Sequence, residues 1–256
     1  MIELHHLAGQ LDPESRDWRA VRPTQLARED LVLPGADIHY CLFEIPMQDA
    51  LRHLPPGLHP AIPAVIGITF IKAPESPLGP LQMAIVGIAC RSGIRPRYMT
   101  LAAFTDSAAV AAALQSRWGF PARVSQVTTH VYYDQVLSTV AENGRKLLEV
   151  ATGHLVMLTG PGASVVYCPA LNMADLDIGR RFIQVDFSAE FKRVARGEPT
   201  SLLFDGRWLG DIDASPSDPV SGTLAKADLT IHPVRFVADP MVLAEKGGAS
   251  KLAAAT

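Results

Sequence analysis

Apolar residues occur in short runs that proline and glycine interrupt at close intervals, and the runs are rich in Val, Ile, Thr and Tyr. β-Branched and aromatic residues favour strands, whereas Pro and Gly favour the turns between them. The pattern therefore predicts a mainly β protein of the α+β class. The predicted strands lie at residues 36–45, 62–72, 81–91, 98–105, 124–137, 145–159, 163–168, 178–187 and 223–237.

Three short helices are predicted between these strands. Pro suits the first helical position, Ser and Asp cap helix N-termini, and Gly commonly ends a helix. These signals predict helices at 47–54 after Pro46, at 108–118 between Ser107 and Gly119, and at 189–196 between Ser188 and Gly197.

The segment 223–237 alternates in polarity, which predicts a strand with one buried face. Residues 1–34 are predicted to be an irregular leader, and residues 243–256 a frayed tail with nothing to pack against. Because no linker or repeat interrupts the sequence, we expect a single domain over 1–256.

Charge and cysteine content narrow the possible functions. The 23 basic and 26 acidic residues give a net charge of −3, so nucleic acid and membranes are not expected partners. No apolar run reaches the 18 residues of a membrane span, and no apolar segment of a signal peptide follows Met1. The three cysteines have no CxxC spacing and indicate free thiols, so a cytoplasmic protein without a zinc site is expected.

Two polar clusters are candidates for chemistry. His130, Tyr132 and Asp134 share one face if the segment is a strand, where they could bind a metal or transfer protons, or form a polar outer face. Asp175 and Asp177 share a face in the same way, and could serve acid–base chemistry, hold a divalent ion, or lie in an exposed loop. The common nucleotide-, zinc- and hydrolase-type motifs are absent.

Residues 97–124 carry a more specific signal, because a strand, Asp106, an Ala-rich helix and then Gly119-Phe120-Pro121 follow one another. This order resembles the acetoacetate decarboxylase family, and the segments DALRHLPPGL, SPLG and IHPVRFV support the resemblance over residues 36–238. The resemblance implies a cone-shaped antiparallel β-barrel with a few flanking helices. It also implies assembly into a homo-oligomer.

The sequence departs from the family where the family's chemistry resides. Family members follow the proline with two lysines, the first of which forms a Schiff base with a β-keto acid, but this chain has Ala122 and Arg123 there. Neither residue can form an imine. The positions of the family's pocket glutamates fall near Ile68 and near Gln82, and its substrate-binding arginine falls near Asp37.

The chain has only six lysines, and Lys72 and Lys146 are the two that could replace the missing one inside a barrel or lie solvated at strand ends. Arg123 could anchor a carboxylate, or form an ion pair with a residue such as Asp134.

We therefore expect a lyase- or isomerase-type enzyme that acts on an oxo acid or related carbonyl compound without a Schiff base; the alternative is a non-catalytic ligand-binding protein. No cofactor or metal is expected, and the expected partner is a small-molecule substrate. The catalytic candidates are Arg123, Tyr98, His130 and Tyr132. The substrate-binding candidates are Phe120, Ala122, Glu75 and Gln82.

Overall fold

A computed structural model describes residues 8–13, 20–92, 95–160, 163–165, 167–209, 216–242 and 249–251. Within these residues the chain is mainly β, as predicted. The two α-helices are α1 (Met47–His53) and α2 (Ala108–Trp118), and a short 3₁₀ helix spans Gly206–Leu209. The strands are β1 (Leu31–Glu44), β2 (His59–Pro60), β3 (Val65–Ala73), β4 (Leu81–Ser92), β5 (Arg95–Thr105), β6 (Ala122–Val124), β7 (Gln126–Val131), β8 (Val136–Glu142), β9 (Arg145–Met157), β10 (Ala170–Leu176), β11 (Gly179–Val185), β12 (Phe187–Phe204), β13 (Pro219–Ile231), β14 (Phe236–Ala238) and β15 (Ala249–Lys251).

All strands belong to one sheet, with the order β15-β14-β11-β10-β5-β4-β3-β1-β13-β12-β9-β8-β7, β2 added to β4 and β6 to β5. The pairs are antiparallel except β5 with β10 and β5 with β6. In the described residues no ladder joins the end strands β7 and β15. The expected barrel is therefore not confirmed.

The sheet is nonetheless strongly curved. β1 and β8 are four places apart in the strand order, which corresponds to about 19 Å in a flat sheet. His39 of β1 still lies 2.9 Å from Ser138 of β8, between its Nδ1 and the serine Oγ. The sheet therefore curls, so that side chains on one of its faces meet one another in the protein interior.

The two larger apolar cores lie on opposite faces of the curved sheet. The first core contains Cys41, Ile68 and Phe104, and the second contains Ile38, Ile71 and the buried face of α2. Because side chains alternate along a strand, β1 sends Cys41 to the first core and Ile38 to the second.

Helix α2 begins and ends as the sequence predicted. The Ser107 hydroxyl accepts a hydrogen bond from the Val110 backbone N–H, and Gly119 ends the helix with φ 63°. That left-handed conformation favours glycine. Helix α1 follows Pro46, also as predicted, although no side chain caps it.

The helix predicted after Ser188 is wrong, because residues 187–204 form the long strand β12. β12 pairs with β13 on one edge and with β9 on the other. Backbone pairing on both edges outweighs a local capping signal.

Other boundaries also differ from the prediction. The predicted strand at 124–137 is divided among β6, β7 and β8, and β1 begins inside the predicted leader. The described residues of 163–168 form no strand, and β9 pairs with β8 and β12. Of the predicted frayed tail, residues 249–251 form β15 beside β14, and the remainder lies outside the described residues. Among the described helices, none has the length and hydropathy needed to cross a membrane.

Candidate functional site

The candidate site begins with two glycines that lie opposite each other on neighbouring strands. Gly67 of β3 pairs with Gly87 of β4. The ring of Tyr98 from β5 lies over them, since a Cβ on Gly67 would stand 2.7 Å from Tyr98 Cε1 and one on Gly87 would stand 3.4 Å from Tyr98 Cδ1. Position 67 therefore has no room for a side chain while the ring is in place.

The side chains of Tyr40, Tyr98 and Tyr167 meet beside these two glycines, and we call the space between them the tyrosine pocket. The hydroxyl oxygens of Tyr98 and Tyr40 are 2.7 Å apart, so one phenol donates to the other. The Tyr40 ring also packs edge-on against Tyr167, with 5.9 Å between centroids. The Tyr40–Tyr98 pair contains two O–H protons and uses one, which leaves one free to donate to a ligand.

The rest of the pocket wall is mostly apolar. The pocket has a cavity volume of about 50 Å³, and none of its lining residues is charged. The Thr100 hydroxyl lines it, as does the Cys168 thiol. The lining is completed by Ile38, Gly67, Thr69, Ile71, Ile85, Gly87, Ala170, Phe187 and Leu229.

Two buried hydroxyls of the pocket, Thr100 Oγ1 and the Tyr167 hydroxyl, lack a hydrogen-bond partner among the described residues. Buried polar atoms are nearly always paired, since an unpaired one costs about 1–3 kcal/mol. A ligand with a polar atom would give these hydroxyls a partner. Empty space, apolar walls and unpaired hydroxyls together identify the tyrosine pocket as the candidate binding site.

Burial decides the protonation state of the groups in the pocket. It raises the pKa of Tyr40, Tyr98 and Tyr167 above the ordinary phenol range, because the charged phenolate loses its hydration. Burial also raises the pKa of the Cys168 thiol, against an opposing effect of Arg97. At neutral pH the pocket therefore presents neutral hydrogen-bond donors.

The opposite face of β1 carries a second polar cluster, which we call the His39 network. His39 Nδ1 lies 2.9 Å from Ser138 Oγ, and His39 Nε2 lies 2.8 Å from Thr152 Oγ1. Cys41 Sγ lies 3.1 Å from the same Nε2, and the His39 ring stacks on Phe70. Burial lowers the pKa of His39 to about 3 and raises the pKa of Cys41 to about 12, so both are neutral at physiological pH.

Arg123 lies outside the tyrosine pocket, in an open groove beside Asp106 and Glu142. Its Nε is 3.0 Å from Glu142 Oε1, and its guanidinium lies 4.7 Å from the centre of the Phe104 ring. Its ion-pair partner is therefore Glu142 and not Asp134. Burial lowers the pKa of Arg123, and the charge of Glu142 opposes that effect.

None of the four predicted substrate-binding residues lines the tyrosine pocket, although the Phe120 ring lies 6.4 Å from that of the lining residue Phe187. Phe120 and Ala122 are buried in the second core, beneath α2. Glu75 is exposed in the loop after β3. The Gln82 side-chain oxygen accepts a hydrogen bond of 3.3 Å from the Thr129 backbone N–H. The structure does not bring these four residues together at one site.

The remaining candidates of the polar clusters are also dispersed. β7 ends at Val131, so Tyr132 and Asp134 follow it in the turn, and both are exposed, as is His130. Asp175 forms an ion pair with Arg180, and Asp177 one with Arg22. In the described part of the chain no group of three or more His, Cys, Asp or Glu side chains could hold a metal ion.

Of the predicted catalytic residues, only Tyr98 lines the tyrosine pocket. Sequence reasoning missed Tyr40 of β1, Thr100 of β5, and the adjacent residues Tyr167 and Cys168 before β10. The one available signal was the pair Gly67 and Gly87, since a glycine inside an apolar strand indicates that another group approaches closely.

Comparisons with known proteins agree with this fold. A model of the acetoacetate decarboxylase family matches residues 19–241. No curated protein matches the chain by sequence.

Three solved structures illustrate the similarity. The acetoacetate decarboxylase of Legionella pneumophila subsp. pneumophila str. Philadelphia 1 has a TM-score of 0.67 and 17% identity, with 80% of this chain and 86% of that chain covered. The enduracididine biosynthesis enzyme MppR, complexed with pyruvate, has a TM-score of 0.63 and 18% identity, over 80% of this chain and 88% of that chain. An acetoacetate decarboxylase-like enzyme from Sphingomonas wittichii RW1 has a TM-score of 0.60 and 14% identity, over 89% of this chain and 98% of that chain.

Proposed function

Since this chain belongs to the acetoacetate decarboxylase family, we propose that it acts on a small carbonyl compound bound in the tyrosine pocket, as a lyase- or isomerase-type enzyme that forms no imine. The observation that carries the proposal is the combination of an apolar pocket with buried hydroxyls that lack a partner among the described residues. The complex of MppR with pyruvate supports a carbonyl compound as the ligand class.

The lysine content supports a mechanism without an imine. No lysine is among the described residues that line the pocket. Lys72 is exposed in β3, and Lys146 is exposed in β9, where it contacts Glu149. Ala122, which the sequence resemblance places at the family's reactive lysine, is buried beneath α2.

The phenols supply the alternative to an imine. The free O–H of the Tyr40–Tyr98 pair, together with the Thr100 hydroxyl, would donate to the carbonyl oxygen of the ligand. When a base from the solvent removes the α-proton, the electrons of the broken C–H bond move onto that oxygen in an enolate, and a donor fixed in an apolar pocket stabilises the charge more strongly than water does. Because their pKa values are raised, the phenols act as donors and not as bases.

The lining also narrows the substrate class. An apolar wall without a charged side chain favours an uncharged carbonyl compound over an oxo acid, because a buried carboxylate would need a cation. Arg123 does not supply that cation, since it lies in a different groove beside Glu142.

Exchange of the α-protons of butanone in deuterated buffer, followed by proton NMR, tests the proposal. The wild-type protein is expected to accelerate exchange, and Tyr98→Phe to lower the acceleration by about 100-fold, the usual effect of removing one such donor. Tyr132→Phe is the matched control, since Tyr132 is exposed and outside the pocket.

Two results would contradict the proposal. Equal acceleration by wild type and Tyr98→Phe would remove the phenol from the mechanism. A covalent adduct after borohydride treatment with acetoacetate would show an imine, and mapping by mass spectrometry would identify the lysine.

Binding without turnover is the second candidate function. It is favoured by the raised pKa values of the three tyrosines and of Cys168, which leave these groups protonated at neutral pH and without a base among them. Saturable butanone binding with no acceleration of exchange would establish this function in place of catalysis.

A further inference from the structure

The ends of three adjacent strands bring together a serine, a histidine and an aspartate. Asp30 precedes β1, His232 follows β13, and Ser188 lies at the start of β12. These strands are neighbours in the order β1-β13-β12. We propose that Ser188, His232 and Asp30 form a nucleophilic serine site that cleaves small activated acyl esters, independently of the tyrosine pocket.

The hydrogen bonds assign the role of each residue. Ser188 Oγ lies 2.7 Å from His232 Nε2, and His232 Nδ1 lies 2.9 Å from Asp30 Oδ1. A carboxylate that accepts from Nδ1–H fixes the tautomer in which Nε2 is free to accept the serine proton. The arrangement is a nucleophile, a base and a residue that orients the base.

The sheet register produces this geometry. Leu31 and Phe187 both pair with Ile231, so Asp30 lies beside His232 at the end of the strands. Ser188 pairs with Thr230, two residues before His232, and side chains two residues apart on a strand share a face. His232 is held further at its backbone. Its N–H donates to Asp186 at 3.0 Å, and its carbonyl accepts from the Trp118 indole at 2.9 Å.

The site is open and has a groove beside it. Ser188 is exposed, and Asp30 forms part of a groove of about 320 Å³. Leu78 and Trp118 give this groove apolar walls, and Arg117 adds a positive charge. A small acyl group fits this surface better than a long polymer, because the groove is bounded by two loops, at residues 25–30 and 77–78, and by the end of α2.

The reaction balances without a cofactor. Ser188 Oγ attacks the ester carbonyl carbon, the serine proton passes to His232 Nε2, and the alcohol leaves with that proton. Water then attacks the acyl-serine ester, one water proton passes to His232, and Ser188 recovers it as the acid leaves. One ester and one water give one acid and one alcohol.

Labelling by a fluorophosphonate probe tests the proposal directly. The Ser188 oxygen displaces fluoride from phosphorus, and the proton leaves with it through His232. Mass spectrometry is expected to place the label on Ser188, and His232→Gln is expected to slow labelling by about 100-fold or more, the usual contribution of a general base. Asp30→Asn is expected to slow it by about tenfold or more through loss of the correct tautomer.

Ser201→Ala is the matched control, because Ser201 is an exposed serine on the same strand. It should label and hydrolyse p-nitrophenyl acetate as the wild type does, whereas Ser188→Ala should lose both activities. Labelling that His232→Gln leaves unchanged, or an absence of label on Ser188, would overturn the proposal. Neither result bears on the tyrosine pocket, since Tyr98→Phe is expected to leave labelling unchanged.

Discussion

Tyr40 and His39 are neighbours in β1, yet they enter two polar regions of opposite character. Tyr40 reaches the tyrosine pocket, where Thr100 Oγ1 and the Tyr167 hydroxyl have no partner among the described residues. His39 reaches a filled interior, where both ring nitrogens have hydroxyl partners and its ring stacks on Phe70. The first region has space and unpaired donors, whereas the second has neither.

The comparison shows why buried polarity alone does not identify a binding site. A His beside a Cys is a common nucleophilic arrangement. Here the pKa of His39 is too low and that of Cys41 too high for the pair to exchange a proton at neutral pH. The His39 network is therefore structural, and the tyrosine pocket is the region that remains open to a ligand.

The largest effect is expected from His39→Ala. The change removes a buried ring and leaves the hydroxyls of Ser138 and Thr152 without their partner, so the free energy of unfolding should fall by about 3–5 kcal/mol. Butanone affinity of the folded variant should not change. Urea denaturation and ligand titration measure the two quantities, and a selective loss of affinity would give the His39 network a functional role.

Gly67→Ala should have the next largest effect. Its Cβ would stand 2.7 Å from Tyr98 Cε1, so the tyrosine must move and the pocket narrows. We expect a loss of about 1–3 kcal/mol in stability together with loss of butanone binding. In Gly153→Ala the new Cβ meets only a Thr200 methyl at 3.1 Å, so this control should retain binding. Retained binding in Gly67→Ala would contradict the assigned pocket.

Acid should lower the free energy of unfolding through the His39 network by about 2 kcal/mol, and should have no such effect through the tyrosine pocket. His39 has a folded-state pKa of about 3 and an ordinary value of 6.5. Below pH 6.5 the unfolded state binds a proton that the folded state excludes, so stability is complete above 6.5 and falls toward pH 3. Between pH 7 and pH 5 this loss is about 2 kcal/mol.

Denaturation at the two pH values measures that loss, with His130→Gln as the control because His130 is exposed. The control should keep the dependence, and His39→Ala should lose it. The tyrosines contribute nothing in this range because their pKa values are raised. An unchanged pH dependence in His39→Ala would show that another group is responsible.

Thr100→Val should have the smallest effect on stability. Valine has nearly the same shape and removes a buried hydroxyl that lacks a partner among the described residues, so stability should stay within about 1 kcal/mol or rise. Butanone affinity should fall up to about tenfold, the equivalent of one hydrogen bond. Calorimetry measures both, and a large loss of stability would mean that the hydroxyl already has a partner.

Local signals in the sequence predicted much of the fold. Ser107 and Gly119 marked both ends of α2, and the alternation along 223–237 predicted one half-buried strand, of which 223–231 belong to β13 and 236–237 to the separate strand β14. Ser188 misled the prediction, because the same residue that caps helices can begin a strand when β9 and β13 flank it. The difference depends on long-range pairing, which a local pattern does not contain.

The two candidate sites depend on long-range strand pairing even more than the strand boundaries do. The tyrosine pocket exists because Gly67 lies opposite Gly87, a register that neither strand contains by itself. Asp30 and His232 are 202 positions apart in the sequence and meet only through the pairing of β1 with β13. The family resemblance directed attention to Arg123, but its ion pair with Glu142 lies in another groove.

A crystal structure of the protein with butanone bound tests the central claim most directly. The account predicts the ketone inside the tyrosine pocket, with its oxygen within hydrogen-bond distance of the Tyr98, Tyr40 or Thr100 hydroxyl. A ketone bound beside Arg123, or within the His39 network, would contradict it.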